Sequence, residues 1–213
     1  MDKLESIPGF CTEMTREEFF DAVNRTGISV IGQSAALTPA DKKLYALRDV
    51  TATVDSIPLI AVSIMGKKLA GGNDVILLDV TTGSGAFMKK QEDAIELALK
   101  MTAIGDRAGR KTAALITNMD VPLGNCIGNT IEVTEALETL KGGGPEDLRE
   151  VCLALASHML YMAGKGTLGE CGKLAQEALD GGAALAKFRE LVQIQGGDLR
   201  YVDDTSLFEK APD

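Results

Sequence analysis

The feature that most constrains the fold is a short apolar run followed by a glycine-rich loop, a long helical pattern and a second apolar run. The first run is DVILLDV at residues 74–80, the loop is TTGSGAF, and the second run is KTAALITNM at residues 111–119. Short runs rich in β-branched residues are typical of parallel strands covered on both faces. The segment between them, QEDAIELALKMTAIGDRAG, has helical periodicity. This order predicts a βαβ unit with a right-handed crossover.

The N-terminal region predicts one helix and one β-like run. The segment TREEFF has a capping box, with Thr15 at the N-cap and Glu18 three residues later. Gly27 is expected to end this helix, because glycine readily adopts the left-handed conformation of a helix C-terminus. The β-like run ISVIGQ follows at residues 28–33.

Two further helices are predicted before the βαβ unit. One starts in TPADKKLYAL, where Pro39 suits a first helical turn. The next runs from about residue 56 to 69, and the pair Gly71-Gly72 stops it. Its sequence, IPLIAVSIMG, predicts a helix that is buried on every side.

The sequence patterns after the second apolar run predict more helices. A second glycine loop, PLGNCIGN, leads into the helical segment IEVTEALETLKGG. Three more helical segments follow, PEDLREVCLALASHMLYMAG, LGECGKLAQEALDGG and AALAKFRELVQIQGG, and the polar tail DLRYVDDTSLFEKAPD is expected to be extended. Together the patterns predict an α/β fold with a partial mixed or parallel sheet, flanking helices and a small helical segment.

Charge and composition argue against several functions. The 22 basic and 31 acidic residues give a net charge of -9, whereas a nucleic-acid surface needs a basic stripe. No run approaches the length of a membrane span, and the start MDKLESIPGF lacks a signal-peptide pattern. The 4 cysteines are widely spaced without a CxxC pair, which indicates a reduced, cytoplasmic protein. The single histidine, His158, lies in the apolar helical pattern LALASHMLYM and is expected to be structural.

Three polar residues, Arg48, Ser63 and Lys67, lie on the apolar helix predicted at about residues 56–69 and on the helical pattern before it. Ile60, Ser63 and Lys67 are spaced i, i+3 and i+7, so they share one stripe, and Arg48 ends the preceding helical pattern. A lysine among apolar neighbours must either extend to water or meet a partner. Spacing alone leaves two interpretations equally open. In one, Lys67 extends to water and Ser63 bonds to a backbone carbonyl. In the other, both residues belong to a functional site.

The glycine loops are ambiguous on their own. TTGSGAF follows a strand, as a phosphate loop would, but it has neither GxGxxG nor GxxxxGK[ST]. The carbonyls of PLGNCIGN could coordinate a cation or simply turn the chain.

Longer motifs give a specific resemblance. The stretches DKLESIPGF, PADKKLYALRDVTATVDSIPLI, SIMGKKLAGG, LLDVTTGSGAFMKK and PLGNCIGNTIEVTEALETL resemble the pyrimidine-nucleoside and thymidine phosphorylases. The resemblance continues through LASHMLYMAG and covers essentially the whole chain. The segments YALRD, PLGNCIGNTIEV and LASHM are more similar to the branch of the family that accepts both uridine and thymidine.

The resemblance implies a site and a reaction. These enzymes cleave the N-glycosidic bond of a pyrimidine nucleoside with phosphate as co-substrate, giving the base and a pentose 1-phosphate, without an organic cofactor. Arg48 and Ser63 are implied to face the N3 and O4 edge of the base, and Lys67 its O2 region. The implied apolar walls are Tyr45, Val54, Ile60 and Phe87. In the family the donors stabilise the negative charge of the departing base.

The resemblance also implies a bound cation and a homodimer. The cation, K+ or Ca2+, would be held by the carbonyls of Leu123 and Cys126 and the carboxylate of Glu135, since oxygen ligands suit a hard cation. Glu135 as a plain solvated helix residue stays the alternative. The implied division is residues 1–38 as the start of the α/β core, 39–73 as a segment of the helical domain that carries the base-binding residues, and 74–213 as α/β core.

The chain departs from the family pattern at both ends. Family members carry an upstream phosphate loop and a C-terminal α+β domain that this sequence does not contain. We therefore expect a central fragment without a phosphate subsite and without measurable phosphorolysis, whose uncovered apolar surface favours self-association. Alternatives are a strict thymidine phosphorylase and a non-catalytic base-binding or inert fragment. A phosphoribosyltransferase would need a diphosphate-binding loop, which the sequence lacks.

Overall fold

The computed structural model describes residues 2–32 and 38–208, except for the side chain of Asp49, and has an α/β fold. Helices predominate over a two-stranded parallel sheet in this part of the chain. In chain order the elements are α1 (Arg16–Thr26), α2 (Pro39–Val50), α3 (Ile57–Ala70), β1 (Val75–Thr82), α4 (Gln91–Arg107), β2 (Lys111–Asn118), α5 (Asn129–Leu140), α6 (Glu146–Met162), α7 (Leu168–Asp180), α8 (Ala183–Ile194) and α9 (Arg200–Asp203).

The chain forms two compact units. The first comprises Met1–Gly32, Gly124–Glu150 and Leu174–Asp213, and the second comprises Gln33–Leu123 and Val151–Lys173. The predicted boundaries at residues 38 and 73 were drawn from the family resemblance. Spatial compactness does not test that division, which stays a prediction.

The predicted βαβ unit forms the centre of the second unit. Strands β1 and β2 pair in parallel from Val75 opposite Lys111 to Thr82 opposite Asn118, and α4 connects them. Helix α3 packs on α4, which contacts both strands. The core is aliphatic and methionine-rich, and its largest fully buried side chains are Met65 and Met101.

Strand β1 is buried on one face rather than on both. Ile76, Leu78 and Val80 alternate into the core at 3–6% exposure. On the opposite face Asp79 is exposed and accepts a hydrogen bond of 2.6 Å from the Thr117 hydroxyl. The prediction of two covered faces is therefore wrong for the described residues.

Helix α3 has one core face and one exposed face. Ala61 and Met65 are fully buried, and Ile57, Ile64 and Leu69 pack beside them. Leu59 and Val62, on the other side, are 40% and 57% exposed. The prediction of burial on every side was wrong, because the apolar run fills a wider arc of the helix than its described neighbours cover.

The first unit has the predicted N-terminal helix. The Thr15 hydroxyl accepts from the Glu18 amide at 3.2 Å, and the Glu18 carboxylate accepts from the Thr15 amide at 2.7 Å. Gly27 ends α1 in the left-handed conformation. The predicted β-like run at 28–33 is wrong for residues 28–32, which form no strand, and residue 33 lies outside the described residues. Backbone groups of this segment bond instead to Gln195, whose side chain binds both the amide and the carbonyl of Val30 at 2.9 Å.

The tail is helical rather than extended as far as residue 208. Helix α9 and a 3-10 turn at Thr205–Leu207 place Val202 and Phe208 in the core of the first unit, with Leu137 and Val192. The extended prediction failed because apolar residues spaced through this polar segment find a surface to pack on. Within the described ranges no helix combines the length and apolarity needed to cross a membrane.

Candidate functional site

Two helices of the second unit contribute one face each to a common cleft. On α2, Asp41, Tyr45 and Arg48 are spaced i, i+4 and i+7, which places them on one side of the helix. On α3 the predicted stripe of Ile60, Ser63 and Lys67 is turned toward the same space. The cleft has a volume of about 470 Å³, within the range of small-molecule sites. Its lining also includes Lys42, Ile64 and Phe87.

Arg48 is buried at 7% exposure and held by backbone carbonyls of the α2–α3 connection. Its Nε donates to the Thr53 carbonyl at 3.4 Å, and Nη2 donates to the Val54 carbonyl. The Tyr45 ring lies 5.0 Å from the guanidinium carbon, a cation–π distance. Three of the five guanidinium donors are left without a hydrogen-bond partner among the described residues. These contacts fix the guanidinium plane while donors remain for a ligand.

Lys67 is held in place by two polar partners. Its Nζ donates to Asp41 Oδ2 and to Ser63 Oγ, each at 3.0 Å. The Tyr45 ring centroid lies 5.6 Å away. The Lys67 side chain is 29% exposed and that of Asp41 is 16% exposed, so the ion pair is largely shielded from water. Lys67 therefore meets a partner instead of simply extending to solvent.

Asp41 gives the cleft a negative charge between two positive ones. Burial on its own raises the pKa of Asp41, but hydrogen bonding with Lys67 and Ser63 and the charges of Lys67 and Arg48 outweigh it. The net effect lowers the pKa below its ordinary value of 3.8. Asp41 is thus ionised at neutral pH, and together with Arg48 and Lys67 it leaves a charge of +1 on these three residues.

The predicted apolar walls are placed unequally. Tyr45, Ile60 and Phe87 line the cleft, with Ile60 half-buried and Phe87 69% exposed. Val54 lies outside the lining residues and contributes its carbonyl to Arg48. The wall role of Val54, like the contacts of the other residues with a base, stays a prediction.

The backbone amides of residues 83–86 in the first glycine loop all donate hydrogen bonds within the protein. The Ser84 amide donates to Asp120 Oδ1 at 2.8 Å, and the Ser84 hydroxyl donates to the Asp120 carbonyl at 3.1 Å. Gly83 has a φ of +126°, and an added Cβ would meet the Asp120 backbone nitrogen at 2.8 Å. The loop is tied to the end of β2, so its glycines serve a tight turn against Asp120.

The sequence reasoning missed Asp41, and it also missed the lining residues Lys42 and Ile64. The partner of Asp41, Lys67, lies 26 positions away on a different helix, so no local spacing relates the two. A signal was nevertheless present, because Asp41 stands one turn before Tyr45 and two turns before Arg48 on the same face of α2.

The second glycine loop is organised around Glu135. The Glu135 carboxylate accepts hydrogen bonds from the amides of Asn125 at 2.9 Å and Cys126 at 3.4 Å. Burial raises the pKa of the Cys126 thiol, and the hydrogen bond with Glu135 and the negative charge of Glu135 raise it further. Leu123, the other predicted ligand, is exposed and belongs to the second unit, whereas Cys126 and Glu135 belong to the first. Glu135 is therefore not a plain solvated residue.

Each carboxylate oxygen of Glu135 accepts one amide N–H group and keeps a lone pair for a further partner. No group of three or more His, Cys, Asp or Glu side chains that could hold a metal ion occurs in the described ranges. The cation predicted at Leu123, Cys126 and Glu135 stays a prediction, and no chemical step depends on it.

His158 has a structural contact. Its Nδ1 lies 2.7 Å from the carbonyl of Ala154, one turn earlier in α6. This contact satisfies a ring nitrogen within the helix and agrees with the structural role expected from the sequence.

Comparison with known proteins identifies the family. Residues 1–185 match the glycosyl transferase family, a/b domain, and the chain belongs to this family. It is 58% identical over 212 residues to a pyrimidine-nucleoside phosphorylase of Geobacillus stearothermophilus, covering 99% of this chain and 49% of that protein. Proteins of the same name from Bacillus subtilis (strain 168) and Staphylococcus haemolyticus (strain JCSC1435) are 57% and 55% identical, with the same coverage. The chain spans about half the length of these curated relatives.

Proposed function

We propose that the protein represented by this chain is a pyrimidine-nucleoside phosphorylase and that the α2–α3 cleft is its base subsite. The observation that carries this proposal is the convergence of Arg48, Ser63 and Lys67 on one cleft. The 58% identity to a pyrimidine-nucleoside phosphorylase supports the same substrate class. The reaction is the reversible phosphorolysis of uridine or thymidine to the free base and ribose or deoxyribose 1-phosphate.

The chemistry explains why donors are needed around the base. As a phosphate oxygen bonds to C1′ of the sugar, the C1′–N1 bond breaks and its electron pair leaves with the base. The negative charge spreads from N1 to the two carbonyl oxygens. Arg48 and Lys67 donate hydrogen bonds and carry positive charge, so they interact more strongly with the departing base than with the bound nucleoside.

The donor and acceptor pattern of the cleft suits uracil and thymine. These bases present a carbonyl, an N3–H and a second carbonyl along one edge. Arg48 and Lys67 have only donors, which match the carbonyls, whereas the Ser63 hydroxyl can accept from N3–H. Cytosine would place its 4-amino donor against the donor that meets O4 in uracil, and that mismatch leaves buried groups unpaired.

Calorimetric titration of the 213-residue chain tests the base subsite. Uracil is expected to bind, and cytosine to bind about tenfold or more weakly because of the unpaired donors. Equal affinity for the two bases, or binding of neither, contradicts the proposal. Comparing uridine with thymidine as substrates of the full-length protein then measures the preference between the two nucleosides.

We also propose a hard cation, K+ or Ca2+, near the second glycine loop. Glu135 supports this proposal because each carboxylate oxygen can accept more than one partner. Thermal unfolding with KCl, CaCl2 or choline chloride provides the test, with Glu135→Gln as the control variant. The proposal predicts a stabilisation by one cation that Glu135→Gln abolishes, and equal unfolding temperatures in the three salts contradict it.

We propose a cytoplasmic homo-oligomer, most simply a dimer. All four cysteines, Cys11, Cys126, Cys152 and Cys171, are free thiols, which suits a reducing compartment. Several large aliphatic side chains on α2 and α3 are exposed, which supports self-association through an apolar surface. Cell fractionation tests the location, and sedimentation velocity tests the oligomer.

A further inference from the structure

Asp41 stands out as a shielded carboxylate in the cleft with no assigned role. It lies on the α2 face that carries Tyr45 and Arg48, and it accepts a hydrogen bond of 3.0 Å from the ammonium of Lys67. We propose that Asp41 is a positioning residue of the base subsite, which fixes Lys67 so that a remaining ammonium donor is held at the edge of the pyrimidine base. This inference rests on the proposed base subsite.

The geometry around Lys67 supports positioning. The ammonium has three N–H donors, and two of them are used by Asp41 and Ser63. The Tyr45 ring lies on a further side at 5.6 Å. With these three directions fixed, one donor remains without a hydrogen-bond partner among the described residues. A lysine on its flexible stem would otherwise have to be ordered when the base binds, at the expense of affinity.

Charge gives Asp41 a second effect on the same contact. The charged groups that share its cleft are Lys67 from α3 and Lys42 and Arg48 from α2. Without a carboxylate among them, the cations would repel each other, and Lys67 would be driven outward to water. An ionised Asp41 keeps the ammonium beside Ser63 and close to Arg48, where both cations can reach one flat ligand.

A role confined to tying α2 to α3 is the competing explanation. In that case, removing the carboxylate would lower stability, and any loss of base affinity would be independent of Lys67. If Asp41 acts through Lys67, its contribution to affinity disappears once Lys67 has no ammonium. A double-mutant cycle on base affinity separates these two roles.

The experiment measures the dissociation constant of uracil by calorimetry at pH 7 for the wild-type chain, Asp41→Asn, Lys67→Met and the double variant. Asp41→Asn is expected to weaken uracil binding about tenfold, the size of one coupled interaction. In the Lys67→Met background the same substitution is expected to change affinity less than about twofold. Asp41→Glu retains the charge and should recover part of the affinity. Asp55→Asn, an exposed acid just before α3, is the matched control and should bind as wild type does.

The possible outcomes separate the hypotheses. Unchanged affinity in Asp41→Asn, or equal losses in the two backgrounds, overturns the role of Asp41 while the base subsite stands. Wild-type chain that binds no uracil overturns the base subsite, and the role of Asp41 falls with it. Circular dichroism checks the folding of each variant. If Asp41→Asn does not fold alone, the double variant against Lys67→Met decides, since a further loss there contradicts the proposal.

Discussion

At the scale of single residues, Lys67 illustrates how a charge is accommodated on an apolar helix. Helix α3 also carries the fully buried Ala61 and Met65, yet the Lys67 ammonium binds Asp41 and Ser63 at 3.0 Å. Taking a charge out of water is costly unless it is paired and hydrogen-bonded. The pairing across two helices meets that requirement and also places the ammonium in the cleft.

Lys67 and its neighbour Lys68 provide a matched test of the base subsite. Lys67→Ala is expected to lower turnover of uridine by the full-length protein on the order of a hundredfold, since one lost donor costs about 3 kcal/mol of barrier. Lys68, which is exposed on the same helix, should tolerate the same change with little effect. Steady-state kinetics with a thermal unfolding control measures both.

Arg48 tests the value of a fixed guanidinium. Arg48→Lys keeps the charge but cannot reproduce the fork that binds the Thr53 and Val54 carbonyls. Turnover by the full-length protein should fall more than stability does. Normal rates in both Lys67→Ala and Arg48→Lys contradict the assignment of the site.

The ionisation of Asp41 predicts a pH dependence of stability. Its folded-state pKa is lowered by Lys67, Ser63 and Arg48 despite the opposing effect of burial, so its ionised form stabilises the fold above the ordinary value of 3.8. This contribution is lost as the pH falls through the lowered pKa. The difference in unfolding free energy between wild type and Asp41→Asn is expected to be constant above about pH 5 and to shrink below pH 3.8. A difference that grows toward acid contradicts this account.

The sequence predicted Arg48, Ser63 and Lys67 as a set through family resemblance, and the stripe on α3 through spacing alone. It did not predict Asp41, because an ion pair between helices depends on how they pack rather than on a local pattern. Nor could spacing show that the Val54 carbonyl meets Arg48, since that contact depends on the conformation of the α2–α3 connection.

At the scale of secondary structure, local patterns predicted most elements. The structure contains the capping box at Thr15, helices where helical periodicity predicts them, and strands β1 and β2 at the β-branched runs. Short-range sterics and hydrogen bonds determine these features. The failures are residues 28–32 and the tail up to residue 208. Both depend on distant partners, which single-sequence patterns do not contain.

Gly105 tests how closely α4 packs on β2, and a second helical glycine, Gly66, is the control. Gly105 is buried, and a Cβ there would lie 2.8 Å from the Thr112 Cβ of β2. Gly105→Ala is therefore expected to cost about 1–3 kcal/mol of unfolding free energy by overpacking. Gly66, in α3, has no atom within 4 Å of its added Cβ, so Gly66→Ala should stabilise by up to about 1 kcal/mol through helix propensity.

Urea denaturation of both glycine variants makes the comparison. Equal effects of the two substitutions would contradict the close packing of α4 on β2. Uracil affinity serves as an independent readout, and it should change little in Gly66→Ala because that residue does not line the cleft.

At the scale of the whole molecule, exposed aliphatic side chains on α2 and α3 predict self-association. Leu47, Val50 and Val62 are 54%, 78% and 57% exposed. Val50→Lys should weaken the oligomer about tenfold or more by placing a charge in an apolar contact. Val121→Lys, at a residue that is 66% exposed elsewhere in the second unit, is the control. Sedimentation velocity measures both, and a wild-type chain that is monomeric at all concentrations contradicts this prediction.

The most direct test of the central claim is a crystal structure of the chain with uracil. The account predicts electron density for the base in the cleft between α2 and α3, with its carbonyl oxygens within hydrogen-bond distance of Arg48 and Lys67 and its N3–H facing Ser63. Uracil bound elsewhere, or a cleft that stays empty at concentrations saturating in solution, would contradict it.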